Sequence, residues 1–254
     1  SHQSAAKDRL IQSTMTPQRA ADVIEVFLDH GIDAIMGMWS NPLMQQAVAE
    51  ARQRTGKSLT VISTPHWPSL DDDAKALGEV ERLLDEHAQL GAHILMPHQA
   101  TTDALLDRRS QTIRNMELYT PMIRQRGMVP GLSTHMPETI GYADRSGLDV
   151  ATYIQLYNAI GFLMQLEVDW VHKIIHEAAR PVMTIKPFAA GRLHPLPGLA
   201  FVYATLRPQD MVTVGTQTPD EAKELIEIAH GLFANRRAAF DLQKTRSKAS
   251  IAGA

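Results

Sequence analysis

The chain has 254 residues, of which 44% are hydrophobic and 21% are charged, and this size and composition suit one large α/β domain. A formal net charge of −3 argues against a globally basic protein of the kind that binds nucleic acid. The absence of cysteine excludes disulfides, thiolate metal sites and cysteine nucleophiles.

The sequence shows no apolar run long enough to span a bilayer, and residues 1–7 lack the apolar stretch of a signal peptide. The chain does not begin with Met, which leaves open a leader that has been removed. We expect a cytoplasmic protein that binds a small-molecule substrate, with no nucleic acid or membrane as a partner. Association into a homo-oligomer stays open.

The main pattern along the chain is a repeated unit of helix, glycine and apolar strand, with the glycine at positions 31, 56, 91 and 127. Glycine just past a helix stops it in a left-handed conformation, and such units in series form parallel strands joined by crossover helices. Strands are predicted at about 9–14, 32–37, 58–63, 92–97, 128–133, 149–157, 181–186 and 211–215. Helices are predicted at about 17–30, 41–54, 71–90, 102–126, 136–146, 165–179, 197–206 and 218–243.

Eight strand–helix units in this length predict an α/β fold, a (β/α)8 TIM barrel that forms a single domain over residues 1–254. Residues 1–8 and 244–254 are expected to be flexible termini. An open doubly wound sheet is the alternative, which is disfavoured because no G-x-G-x-x-G follows a predicted strand.

Helix starts carry their own signals. Thr16 and Asn41 each precede a proline, which pairs a capping residue with proline at the first helical position. The segment from Thr218 to Glu221 has the spacing of a capping box.

Three histidines follow three successive predicted strands, at the end of the barrel where active sites lie. Converging imidazoles of His66, His98 and His135 predict a site for a divalent Zn, Mn, Fe or Ni ion, to which Glu138 or Asp103 could add a carboxylate. We slightly favour the alternative that the three histidines make separate hydrogen bonds and share no metal ion, because no H-x-H or H-E-x-x-H spacing fixes the geometry of a metal site. For Asp103 a helix cap is the favoured interpretation.

Lys186 ends the buried strand predicted at 181–186, and the following Pro187 predicts an extended backbone for it. As a cation, Lys186 would hold an anionic group or a developing enolate. An ion pair inside the barrel mouth is the second interpretation and a Schiff base the third. We therefore predict His98, His135 and Lys186 as catalytic residues.

Four further residues are candidates for substrate binding. Arg192 and Thr216 lie after the seventh and eighth strands, where barrels commonly bind phosphate beside a helix amino terminus, although plain helix capping is nearly as favoured. Trp39 could stack on a substrate, and packing is an equal alternative. Asn158 is expected to position the substrate.

His172 and His176 are spaced i, i+4 on a predicted helix, a spacing that can bind metal. They flank the apolar stripe of that helix, so a solvated face is the favoured interpretation.

The order of these segments resembles the aldo/keto reductase barrel over about residues 9–231. The segments 31–36 and 59–63 resemble the second and third strands of that family, and 127–135 resembles the fifth. The segment 92–98 resembles the fourth strand, which places His98 at the catalytic histidine of the family. The segments 156–158, 186–191 and 214–221 resemble the remaining strand ends.

The chemistry of that family uses an Asp, a Tyr, a Lys and a His, of which only His98 has a counterpart. Met36 stands at the Asp position, Met38 to Ser40 fill the Tyr region, and the third strand runs into His66 without a Lys. The resemblance therefore implies a reductase-like barrel without the hydride-transfer tetrad. NADP is the less favoured cofactor, although Ser133 and Asn158 match positions that contact the carboxamide in the family.

The sequence thus predicts a non-redox enzyme of carbohydrate metabolism, of isomerase, lyase or aldolase type, that acts on a small sugar-like or carbonyl substrate, and it leaves metal assistance open. An NADP-dependent reductase-like oxidoreductase is one alternative. A non-catalytic binding protein on a barrel scaffold is the other.

Overall fold

The computed structural model describes residues 15–67 and 74–234. In chain order its elements are α1 (Pro17–Asp29), β1 (Ala34–Gly37), α2 (Pro42–Thr55), β2 (Thr60–Ser63), α3 (Ala74–Gln89), β3 (Ile94–Leu95), α4 (Gln99–Leu105), β4 (Leu106–Asp107), β5 (Thr112–Ile113), α5 (Met116–Gln125), β6 (Val129–Pro130), β7 (Leu132–Ser133), α6 (Glu138–Ser146), β8 (Tyr153–Leu156), α7 (Val168–Glu177), β9 (Val182–Ile185), α8 (Pro195–Thr205), β10 (Met211–Val212) and α9 (Pro219–Ala234).

The parallel strands follow the orders β1-β2-β3-β6 and β7-β8-β9-β10. Only Gly131 separates β6 from β7, so one predicted strand pairs with β3 on one side and with β8 on the other. The sheet order follows the chain order, and helices connect its strands. The chain therefore forms the predicted (β/α)8 TIM barrel, and the first predicted strand, 9–14, lies outside the described residues.

Gly131 makes this shared strand possible. Its N–H donates to the Leu95 carbonyl at 3.1 Å, which joins it to the strand before it. A Cβ at this position would lie 2.8 Å from the Thr152 carbonyl oxygen and 2.8 Å from Cε of Met96. Because real Cβ atoms do not approach a backbone oxygen so closely, a side chain here would force the two strands apart.

Apolar side chains fill the inside of the barrel. A buried cluster inside the barrel consists of Ile62, Met96, Ile154 and Met183. Each of these residues lies in a strand or directly after one, and Met36 packs against them. A larger cluster lies between the strands and the helices. The barrel mouth consequently stands on an apolar floor that excludes water.

The predicted helix starts are confirmed in detail. The side chain of Thr16 accepts a hydrogen bond from the Arg19 N–H, and that of Asn41 accepts one from the Leu43 N–H. These bonds satisfy amide groups that a helix start leaves unpaired. Across the described residues, no helix combines the length and apolar character that a membrane crossing needs.

The prediction of one helix over 102–126 is wrong. The chain leaves α4 after Leu105, forms the antiparallel hairpin β4–β5, and re-enters a helix at Met116. The Asp107 carboxylate accepts hydrogen bonds from the N–H groups of Arg109 and Ser110, which stabilises the turn. A short polar side chain here competes with helical backbone bonds, and 3.6-residue periodicity does not report that competition.

At the opposite end of the barrel, Asp210 anchors the start of β9. Its carboxylate is fully buried, pairs with Arg207 at 2.8 Å and accepts the Val182 N–H. Arg207 in turn donates to the carbonyls of Ala178 and Arg180. The buried charges are therefore paired and hydrogen-bonded, as burial requires.

We predict that Gly131→Ala lowers the free energy of unfolding by about 1–3 kcal/mol, because the added methyl group overpacks the contact with Thr152. Gly215→Ala is the matched control, since a Cβ there meets nothing within 4 Å. Urea denaturation of the two variants measures the difference. A Gly131→Ala protein as stable as the Gly215→Ala protein would contradict the close approach.

Candidate active site

Four side chains with acid–base or charge chemistry lie at the carboxyl ends of barrel strands: His66 after β2, His98 after β3, His135 after β7 and Lys186 after β9, with β8 between the last two strands. His66 and Lys186 are exposed, and His98 and His135 are half-buried. The barrel fold thus brings together the residues that the sequence predicted as catalytic.

His98 is the N-cap of α4, and its Nδ1 atom accepts the Ala100 N–H at 3.2 Å. An accepting Nδ1 places the ring proton on Nε2. Burial is the main cause that lowers the pKa of His98, and the imidazole of His66, whose ring centroid lies 5.8 Å away, lowers it further. At neutral pH His98 is therefore an uncharged hydrogen-bond donor through Nε2–H.

Asp103 is the residue that connects α4 to the end of β7. Its Oδ1 atom accepts the Thr134 hydroxyl at 2.6 Å, and its two carboxylate oxygens lie 3.3 and 3.2 Å from the backbone nitrogen of His135. Burial raises the pKa of Asp103, and these hydrogen bonds oppose that shift. The expected helix-cap role is wrong, because Asp103 lies inside α4 and His98 is the cap.

Several groups around His135 affect the pKa of its imidazole. Burial lowers its pKa first, the nearby Asp103 carboxylate opposes this, and the charges of Lys186 and His98 lower it further. The imidazole therefore stays neutral and able to accept a proton at neutral pH. Lys186 and His98 are therefore both near enough to His135 for their charges to affect its pKa.

Lys186 has a left-handed backbone, with a φ of 56° where an extended conformation was predicted. A non-glycine residue in this region is strained, and such strain persists only where surrounding structure imposes it. The following turn supplies that structure, since the Ala189 N–H donates to the Lys186 carbonyl at 3.0 Å. The conformation ends β9 abruptly and leaves the Lys186 side chain in solvent.

The predicted three-histidine metal site is not assembled in this structure. Within residues 15–67 and 74–234, no group of three or more His, Asp or Glu side chains is arranged to hold a metal ion. Glu138, a candidate ligand, accepts a hydrogen bond from Arg108 at 2.9 Å instead. His66, His98 and His135 therefore do not form a ligand set, and metal assistance stays a prediction.

Two of the predicted substrate contacts are wrong. Trp39 is only 6% exposed and its indole N–H donates to the Leu90 carbonyl at 2.8 Å, so the residue packs and offers no open face for stacking. Asn158 is fully buried, and its side-chain amide accepts the Phe162 N–H and donates to the Phe162 carbonyl. Asn158 thus shapes the loop after β8 and does not face a substrate.

The segments after the last two strands, where phosphate binding was predicted, contact other groups of the chain in the structure. Arg192 donates to the Ala189 carbonyl, and its guanidinium lies 4.0 Å from the centre of the Phe162 ring. Thr216 is half-buried before α9, where Glu221 accepts the Gln217 N–H at 2.8 Å. A carboxylate of the chain therefore occupies the helix amino terminus where an external anion was expected.

The role of Asp103 is the part of the site that sequence reasoning missed. The available signal was its position five residues after His98 on the helix that His98 begins. That position places Asp103 one turn into the helix, yet its target, the His135 N–H, is 32 residues away in sequence. Local patterns do not reveal so distant a contact.

No protein-family model matches this sequence, and no curated protein matches it either. Solved structures do match. A Pseudomonas aeruginosa protein described as a "putative aldo-keto reductase" is 16% identical, with a TM-score of 0.62 over 87% of each chain. A second structure with that description is 15% identical, with a TM-score of 0.60 over 87% of this chain and 85% of the other.

The chain shares the TIM-barrel fold with these two structures. Orotidine 5′-monophosphate decarboxylase from Methanocaldococcus jannaschii is also similar, at 16% identity and a TM-score of 0.53 over 84% of this chain and 93% of that chain. Identities this low establish the fold alone, because one barrel supports many chemistries. The reaction must therefore be argued from the side chains at the mouth.

We predict that Lys186→Met raises the pKa of His135, because the cation that lowers it is removed. The imidazole resonances followed by NMR across a pH titration measure this shift. Lys223→Met, which removes an exposed cation on α9, should leave the His135 titration unchanged. An identical His135 titration in the Lys186→Met protein would show that Lys186 does not act on the imidazole.

Proposed function

We propose that this chain is a non-redox enzyme that transfers a proton on a small sugar-like or carbonyl substrate, in an isomerase, lyase or aldolase reaction. The observation that supports this most is the meeting of two imidazoles with lowered pKa values and the Lys186 cation at one barrel mouth. Perturbed pKa values gathered at the catalytic end of a barrel are typical of acid–base sites.

In the proposed reaction the neutral His135 imidazole removes a proton from the carbon next to the substrate carbonyl. The C–H electron pair becomes the carbon–carbon double bond of an enolate, and the carbonyl π pair moves to oxygen. The Nε2–H of His98 donates a hydrogen bond to that oxygen, and Lys186 stabilises its charge. The His135 imidazolium then returns the proton to carbon or to a leaving group.

Asp103 would act on this reaction through His135. Its carboxylate raises the pKa of His135, and so stabilises the imidazolium that forms when the substrate proton is removed. Its hydrogen bonds with the His135 N–H and the Thr134 hydroxyl fix the end of β7. Asp103 is therefore a positioning residue, which holds the base at a set place and tunes its affinity for the proton.

The apolar floor of the mouth strengthens these interactions. Met36 and Met96 belong to the cluster that fills the barrel beneath the polar side chains. A water-poor floor lowers the local dielectric, so a cation and a hydrogen-bond donor stabilise a developing negative charge more strongly than they would in water.

An NADP-dependent reductase is the second candidate, which the likeness to reductase barrels favours. Against it, Met36 packs in the apolar cluster at the position of the family's Asp, and Asn158 binds Phe162 where a carboxamide contact is needed. Burial raises the pKa of Tyr157 to about 12, and its hydroxyl donates to Thr205, away from the mouth. This candidate predicts that NADPH quenches tryptophan fluorescence.

A non-catalytic binding protein is the third candidate, and it predicts an occluded or apolar mouth. The exposed His66 and Lys186 and the half-buried His98 and His135 argue against it.

Proton exchange in D2O tests the proposal whatever the final product of the reaction is. A panel of small hydroxy-carbonyl compounds, with and without phosphate or carboxylate groups, is incubated with the protein, and loss of the α-proton signal is followed by NMR. We expect exchange with at least one compound. His135→Gln should slow it by about 10²- to 10⁴-fold, and Lys186→Met by about 10²- to 10³-fold.

Lys223→Met is the matched control, because it removes an exposed lysine from α9 and should keep the full rate. Exchange that continues unchanged in the His135→Gln and Lys186→Met proteins would overturn the proposed roles. A reaction that proceeds only with NADPH would favour the reductase, and no exchange with any compound would favour the binding protein.

A further inference from the structure

Two histidines on the outside of the barrel converge on a single backbone oxygen. His172 and His176 lie one turn apart on α7, and their ring centroids are 4.1 Å apart. The Nε2 atom of His176 lies 2.8 Å from the carbonyl oxygen of Thr205, and His172 hydrogen-bonds the backbone of the same residue. Two imidazoles and one carbonyl oxygen, all of which can act as metal ligands, thus lie close together between α7 and the end of α8.

The position of Thr205 makes its carbonyl oxygen suited to a cation. Thr205 is the last residue of α8, where carbonyl groups have no partner within the helix and carry the negative end of the helix dipole. The cap N–H of Leu206 bonds to the Val202 carbonyl, one turn back, and leaves the Thr205 oxygen to the imidazoles.

We propose that His172, His176 and the Thr205 carbonyl bind one divalent transition-metal ion of the zinc type. Two histidines at i, i+4 on one helix face have the spacing that zinc proteins use, and imidazole nitrogen is a preferred ligand of this ion. Water completes the coordination. On binding, each imidazole proton moves to the ring nitrogen that does not ligate, so both rings bind in their neutral form.

The surroundings of His172 favour the neutral imidazole that a metal requires. Burial lowers the pKa of His172, and the neighbouring His176 lowers it further. The Arg207 guanidinium lies 3.5 Å from the His176 carbonyl oxygen, and its charge is paired with the buried Asp210 carboxylate at 2.8 Å. Lys173 points along α7 instead, with its ammonium 5.6 Å from the Trp170 ring.

A metal at this site would tie α7 to the end of α8. It would bind outside the barrel, whereas His98 and His135 line the mouth. The expected consequence is added stability of the folded chain, because an ion that binds only the folded state stabilises it by mass action.

Calorimetric titration of the full chain with ZnCl2 at slightly alkaline pH tests the site. We expect one equivalent to bind and the thermal unfolding temperature to rise with zinc concentration. His172→Gln and His176→Gln should each weaken binding by about tenfold or more, because each removes one nitrogen ligand. Circular dichroism verifies that both variants keep the fold.

Two controls separate this site from the other histidines. His30→Gln alters the contact of His30, which follows α1, with His230 of α9, whose ring lies 6.5 Å away. His135→Gln alters the mouth. Both should bind zinc as the unchanged chain does. Absence of binding at millimolar zinc, or unchanged binding in the His172→Gln/His176→Gln double variant, would overturn the proposal, as would loss of binding in His135→Gln alone.

Discussion

The site at the mouth depends on the half-buried carboxylate of Asp103. Asp103 joins α4 to the end of β7 by accepting the Thr134 hydroxyl and the backbone N–H of His135. The same helix begins at His98, whose Nδ1 caps it. One short helix therefore sets the position of both imidazoles: it carries the first and holds the backbone of the second. A partly desolvated carboxylate is stable only when hydrogen bonds compensate its lost hydration, and the Thr134 hydroxyl and the His135 N–H provide that compensation here.

Desolvation then gives the site its chemical character. Burial is the largest cause of the lowered pKa of both His98 and His135, and the Lys186 cation adds to the effect on His135. Neutral imidazoles beside a cation can remove a proton from carbon and stabilise the negative charge that follows. The left-handed backbone of Lys186, which the following turn imposes, lies at this site, and strained residues of this kind cluster at functional sites. The outer site at His172 uses other elements and carries no part of this chemistry.

Sequence patterns predicted the barrel, most of its helices, and the placement of the histidines and the lysine at its mouth. Each of these features follows from a periodic or a local signal in the sequence. Glycines that end helices and residues that cap them act on residues adjacent in sequence, as Thr16 and Asn41 illustrate. The roles of Asp103, Trp39 and Asn158 were not predictable in this way. Each depends on a contact or a burial that the tertiary fold creates. The hairpin at 106–113 was missed for a different reason, since the bonds of Asp107 to its own turn override helical periodicity.

The proposed reaction requires two uncharged imidazoles at the mouth, with His98 as the hydrogen-bond donor and His135 as the base. The imidazole 15N chemical shifts of His98 and His135 at neutral pH measure this directly. We predict that both rings are neutral and that His98 carries its proton on Nε2, with Nδ1 unprotonated. Two imidazolium rings at neutral pH, or a His98 that carries its proton on Nδ1, would contradict it.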